Sequence, residues 1–187
     1  MKGGRIVLIL LTGMPGSGKE EFVNVCAKRG IRVLRMGDFV RAEAAGKGVP
    51  MTDGEIGGFA HRMREENGYD YWAKRTAEAL DDRLTLIDGL RGRDEYDLFR
   101  ERTKGGTVVV AIVASPEVRY QRLRSRGRSD APKSFEEFEE RNRRETRWGL
   151  ADVIAGADFS IVNESTLEAL QKRAEAVLNE IVERSKE

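Results

Sequence analysis

The stretch Gly13-Met14-Pro15-Gly16-Ser17-Gly18-Lys19 follows the apolar run at residues 6–11 directly and opens a segment of helical character. Its glycines permit a tight loop whose backbone N–H groups turn inward, and the helix behind it adds the positive end of its dipole. In that context the loop reads as a phosphate cradle, with Lys19 placed to reach the outer phosphates of a polyphosphate. The chain is thereby committed to a strand, loop and helix at its start, and to a sheet whose strand ends form a binding edge.

Further apolar runs at residues 31–34, 84–87, 107–114 and 158–162 are short, rich in β-branched residues and separated by helical or loop stretches. They predict five buried parallel strands in a chain of the α/β class. Ser115-Pro116 offers a cap with proline at the first helical position, and Thr52/Glu55, Ser134/Glu137 and Ser165/Glu168 have capping-box spacing. In the last helix Leu167, Leu170, Ala174, Val177, Leu178 and Ile181 fall on one stripe that should pack against the sheet. Two stretches break the alternation. Residues 38–80 leave room for about three helices, and residues 124–148 read as a loop followed by a very charged helix. Both are expected on the side where the strands end, as inserts in a single folding unit spanning residues 1–187.

Lys and Arg total 33 against 32 Asp and Glu, a net charge of +1 that does not argue for a nucleic-acid partner. No apolar stretch is long enough to span a bilayer, and residues 6–11 have the length of a buried strand rather than of a signal-peptide core, so a soluble, cytoplasmic protein is expected. One cysteine, Cys26, and one histidine, His61, make neither an internal disulfide nor a His/Cys metal cluster, and packing roles are expected for both. Abundant Lys, Arg and Glu with two Gln suits a protein from a hot environment. Trp72 and Trp148 are read as buried anchors or subunit contacts.

Several local signatures besides the loop carry a resemblance. "MGDFVRAEA" from Met36, "LIDGLR" over residues 86–91, "RLRSRGRSDAP" over 122–132, "EEFEERNRRE" over 136–145 and "ADFSIVNESTLEAL" over 157–170 run through most of the chain. Together they resemble nucleoside monophosphate kinases, adenylate kinase most of all, and within that superfamily the adenylate-kinase-related proteins of archaea. Dephospho-coenzyme A kinase is a further relative. In one place the chain departs from adenylate kinases, which carry two residues between the Gly of the strand-end motif and its Arg. Here only Leu90 separates Gly89 from Arg91.

The resemblance implies a P-loop NTPase fold: a five-stranded parallel sheet flanked by helices, a helical acceptor-binding insert at 38–80 and a short lid with its exit helix at 124–148. It implies ATP and Mg2+ as cofactors, a small-molecule nucleotide acceptor as partner, and a phosphotransferase. Gly13, Met14, Pro15, Gly16, Ser17, Gly18, Lys19 and Glu20 would bind the nucleotide, and Arg122 would stack on the donor base. Asp38, Arg41, Arg91, Arg141 and Arg144 would bind the acceptor. Lys19, Arg41, Arg91, Arg126 and Arg128 would carry the chemistry. Such transfer needs charge neutralised over spreading phosphate oxygens, and arginine binds phosphate through a planar fork while staying protonated. In a chain so rich in arginine, the competing reading for each is a solvated ion pair.

Asp88 ends an apolar strand beside Gly89 and is expected to hold magnesium through water, with helix capping as the alternative. Asp38 stays open between organising an acceptor subdomain and accepting a proton from a sugar hydroxyl, as a dephospho-coenzyme A kinase would require. A third reading is a nucleotide-dependent switch or weak ATPase in RNA or ribosome assembly, with the charged helix as a docking face. Glu20 stands where many such loops carry Ser or Thr. Its carboxylate either points outward from the first helical turn, where negative charge is favourable, or faces the ion as a ligand.

Overall fold

The computed structural model describes residues 7–104, 106–127 and 131–186. Its elements in chain order are β1 Leu8–Thr12, α1 Lys19–Lys28, β2 Arg32–Arg35, α2 Met36–Gly46, α3 Asp53–Asn67, α4 Tyr71–Ala77, β3 Thr85–Asp88, α5 Arg93–Arg102, β4 Thr107–Val113, α6 Pro116–Ser125, α7 Phe135–Arg147, α8 Leu150–Ala155, β5 Phe159–Val162 and α9 Leu167–Arg184. The strands form one parallel sheet in the order β2-β3-β1-β4-β5, within a residue or two of the apolar runs. Among the described residues no helix is long and apolar enough to cross a membrane.

Strand geometry divides the core in two, because successive side chains of a strand face opposite sides. Leu8 and Leu10 of β1 join Met36, Val40, Phe59, Trp72, Ile87 and Phe99 under helices α2 to α5. Ile9 and Leu11 join Phe22, Cys26, Ile112, Ile161, Leu170 and Leu178 under α1 and α9. A strand buried on both faces cannot alternate apolar with polar, which is why β1 is continuously apolar. Cys26 and both tryptophans are buried, so each serves packing.

Thr52, Ser115 and Ser134 cap α3, α6 and α7 through their hydroxyls, as their spacing predicts. The cap of α9 is a correction: Thr166 rather than Ser165 accepts the hydrogen bond, from the amide of Ala169. The helix accordingly starts at Leu167, whose side chain in the first turn is 58% exposed, and the buried stripe comprises Leu170, Ala174, Leu178 and Ile181. The stretch at 38–80 holds most of α2 with α3 and α4, and the charged helix at 124–148 is α7.

Leu178 is fully buried on the face where α9 packs along α1. Leu178→Ala is expected to lower unfolding free energy by about 2–5 kcal/mol, from lost burial plus a residual cavity, measured by urea denaturation.

Candidate nucleotide and acceptor site

β1 delivers the chain into the loop at residues 13–18, and Gly18, in the left-handed region at φ 99°, passes it into α1 without a side-chain cap. Two side chains from outside the motif brace the loop. Arg119 of α6 donates from Nη1 to Pro15 O at 3.2 Å, and Asn163, just past β5, donates from Nδ2 to Ser17 O at 2.8 Å. With carbonyls held from behind, the start of α1 is left to face a ligand. Gly16, at φ 83°, shows the tightness of the fit: a Cβ there would lie 2.7 Å from Arg119 O.

Lys19 curls back over the loop, its Nζ donating to Gly13 O at 2.6 Å. Burial pulls its pKa down to about 8, against the opposing field of Asp88 and with the repulsion of Arg91 and Arg141. Two buried oxygens nearby in sequence or at the sheet edge, Ser17 Oγ and Asp88 Oδ1, have no hydrogen-bond partner among the described residues. Among the described residues no group of three or more His, Cys, Asp or Glu could hold a metal by itself. A magnesium ion here would rest on a carboxylate, waters and phosphate oxygens, which suits that ion.

Glu20 lies in the first turn of α1 with its side chain 43% exposed. Its carboxylate turns sideways onto Arg35 at the end of β2, with Oε1 2.6 Å from Nη2 and Oε2 2.9 Å from Nη1. The same Nη1 also reaches Asp88 Oδ2 at 3.2 Å.

Beyond the strand ends a cavity of about 370 Å³ opens between α2, α3 and α7. Met36, Val40, Ile56, Ala60 and Trp72 supply its apolar wall, and Arg41, Arg91, Arg141 and Arg144 its charged one. Each arginine has a carboxylate partner. Arg41 pairs with Asp38 at 2.5 Å, and Arg91 with the buried Glu145 at 3.2 Å. Asp53, in the first turn of α3, holds both Arg141 at 3.3 Å and Arg144 at 2.8 Å. Arg144 lies so close to α3 that a Cβ on Gly57 would be 2.7 Å from its Cζ. Arg141 and Arg144 share one face of α7, as their spacing requires.

Behind this wall, buried Arg64 pairs with buried Glu95 at 2.8 Å, and the other oxygen of Glu95 accepts from the backbone amide of Arg91 at 2.8 Å. Arg64 and Arg91 lie 4.5 and 5.4 Å from the ring centre of Trp148, whose indole donates to His61 Nδ1.

The structure thus brings Arg41, Arg91, Arg141 and Arg144 around one cavity, with Arg91 and Arg141 near enough to Lys19 to repel its ammonium. Arg122 lies on the far side of the loop, where its guanidinium donates to Asn163 O at 3.0 Å and Oδ1 at 3.2 Å. Arg126 closes α6 at an exposed position and does not line the cavity, and Arg128 falls outside the described residues. Arg35, Arg119, Asn163, Asp53, Glu145 and the Arg64–Glu95 pair were not singled out from sequence as site residues. Of these Glu145 and Asn163 lie within the quoted segments at 136–145 and 157–170, and Arg35 stands immediately before the one at Met36.

Residues 9–149 match the family of AAA domains. A UPF0200 protein of Thermoplasma volcanium is 45% identical over 172 residues, covering 91% of this chain and 96% of its own. One of Hyperthermus butylicus is 40% identical over 184 residues, covering 97% and 98%. In fold, the chain resembles a gluconokinase from Sinorhizobium meliloti with a TM-score of 0.57 at 16% identity, covering 96% of this chain and 95% of that one. It also resembles a shikimate kinase from Bacteroides thetaiotaomicron, with a TM-score of 0.59 at 16% identity over 95% and 98%.

The lysine carries a pH prediction. Its folded pKa of about 8 lies below the ordinary 10.5, so the unfolded chain binds more protons between those values and stability rises with pH across that window. Lys19→Met should remove this increment, and should unfold at a higher temperature than the parent near pH 7, where the parent confines a charged ammonium. Thermal unfolding of both proteins from pH 7 upward measures it.

Proposed function

The chain belongs to the UPF0200 family and to the AAA-domain family, and on that premise we propose that it is an ATP-dependent phosphotransferase acting on a nucleotide acceptor. The observation that carries the proposal is the meeting of two anion sites at one sheet edge. The loop around Lys19 is a cradle for polyphosphate, and Arg91 and Arg141 of the neighbouring cavity lie close enough to repel the Lys19 ammonium. Two such sites sharing one field suit a donor and an acceptor held in line.

In this reading residues 13–19 bind the ATP polyphosphate. Arg91, Arg141 and Arg144 exchange their carboxylate partners for the acceptor phosphate, while the apolar wall at Met36, Val40, Ile56 and Trp72 takes the rest of the acceptor. Asp88, whose Oδ1 accepts no hydrogen bond among the described residues, would hold magnesium, which would neutralise charge on the ATP phosphates. An acceptor phosphate oxygen attacks the terminal phosphorus of ATP, the bond to the bridging oxygen breaks, and its electron pair leaves with ADP. Lys19 and the arginines offset charge on the moving group, and Arg126 joins them if residues 124–148 close. Asp38 is already paired to Arg41 at 2.5 Å, which favours a phosphate acceptor over a hydroxyl that would need a free base.

The test is ADP formation from Mg-ATP with each nucleoside monophosphate and with dephospho-coenzyme A. One acceptor should accelerate ADP release, whereas equal turnover with no acceptor would replace the transferase reading with that of an ATPase. Arg144→Met should raise the KM for that acceptor roughly 10–100-fold, the loss of one charge-assisted phosphate contact, while ATP binding measured by calorimetry stays near the parent value.

A further inference from the structure

Arg35 and Asp88 are the last residues of adjacent parallel strands, and they are register partners in the β2–β3 ladder. They end the sheet beside the first turn of α1, where Glu20 projects from the residue after the loop lysine. Between the two carboxylates stands one guanidinium. Arg35 binds Glu20 through both forks, at 2.6 and 2.9 Å, and turns Nη1 to Asp88 Oδ2 at 3.2 Å. Asp88 Oδ1, on the same carboxylate, is buried and accepts no hydrogen bond among the described residues. The asymmetry is physical: one oxygen of Asp88 is spent on a resident cation and the other is held ready.

The charges explain why the arrangement is useful. Glu20 and Asp88 without Arg35 would form a pair of carboxylates at a sheet edge, the kind of hard-oxygen site that takes a divalent cation directly. They would also repel the phosphates that the loop exists to bind. With Arg35 between them, Glu20 is neutralised and the trio carries a single negative charge. That is too little to hold a divalent ion tightly, yet enough to complete its shell when phosphate oxygens arrive with it.

We propose that Arg35, clamped by Glu20, is a positioning residue that stands in for a cation at Asp88: it aims Oδ1 and suppresses metal binding in the absence of nucleotide, so that the divalent ion enters as its nucleotide complex. The proposal rests on the reading of Asp88 as the metal-holding carboxylate. It also gives Glu20 its role as the anchor for Arg35 rather than as a metal ligand.

The experiment is Mn2+ binding to the purified full chain without nucleotide, followed by electron paramagnetic resonance. The parent should bind Mn2+ weakly. Arg35→Gln should bind it roughly tenfold or more tightly, since a unit charge a few ångströms away is removed from two carboxylates. Arg35→Gln combined with Glu20→Gln restores the single negative charge and should return affinity to near the parent value. Arg35→Lys, which keeps the charge and tests whether a change of fold is responsible, should stay weak. Asp88→Asn on the Arg35→Gln background should abolish the gain. Unchanged Mn2+ affinity in Arg35→Gln, or a gain that survives Asp88→Asn, overturns the proposal. ATP binding to the parent is measured separately by calorimetry. Its absence would sink the phosphotransferase reading, while flat Mn2+ data beside intact ATP binding would sink only the role of Arg35.

Discussion

The turn from β1 into α1 is the constraint on which the rest of this structure depends. A buried strand must end and a helix start within six residues, 13–18. Backbone groups at such a turn need partners, because burying them unpaired is costly. Here two carbonyls find partners on distant elements, Pro15 O on Arg119 and Ser17 O on Asn163, while the hydroxyl of Thr12 at the strand's end donates from Oγ1 to Leu90 O at 2.8 Å. The end of β1 and its loop are therefore fastened to the segment after β3, to α6 and to the segment after β5. Arg119 in turn donates to Asn142 of α7 at 2.8 Å, which carries the fastening into the segment that supplies Arg141 and Arg144.

Beside that turn the chain concentrates arginines around one cavity and at the end of β2, and gives each of these a carboxylate. Asp38, Asp53 and Glu145 hold the cavity arginines, and Glu20 holds Arg35. Partly exposed pairs of this kind add little to stability. Their consequence is conformational, since each pair fixes the direction of a guanidinium at the cavity or at the end of β2. The Arg64–Glu95 pair is different, because both partners are buried. Removing one partner would leave an uncompensated charge, and Glu95 also fixes the backbone of Arg91. The aromatic ring of Trp148, between Arg64 and Arg91, couples that pair to the end of α7.

Local rules were legible where they depend on neighbours in the chain. The strands follow from continuous apolar runs, the caps of α3 and α7 from a hydroxyl three residues before a glutamate, and that of α6 from a serine before a proline. The fourth failed for an instructive reason. Ser165 and Thr166 are adjacent hydroxyl residues, and spacing to Glu168 favoured the first, but the geometry of the chain leaving β5 presented the second. Leu167 fell on the apolar stripe by periodicity, yet it stands in the first turn, before the helix reaches cover from α1. Glu20 was legible as an anomaly in its loop. Its partner was not, because nothing within the motif indicates which charge lies at the end of a strand fifteen residues later.

By itself the sequence determined the α/β class, the strand positions, the phosphate-type loop and a family of arginines on segments flanking the sheet edge. These depend on composition and on periodicity over a few residues, which physical chemistry reads without knowing distant contacts. Only the tertiary structure decided which arginines share a cavity, which carboxylate each one faces, and that Arg35 stands between Glu20 and Asp88. Those outcomes depend on sheet order and register: β2 lies beside β3 and ends level with it, which sets Arg35 against Asp88. Charge pairing acts over a few ångströms in space, so its partners become defined only when the strands have chosen their neighbours.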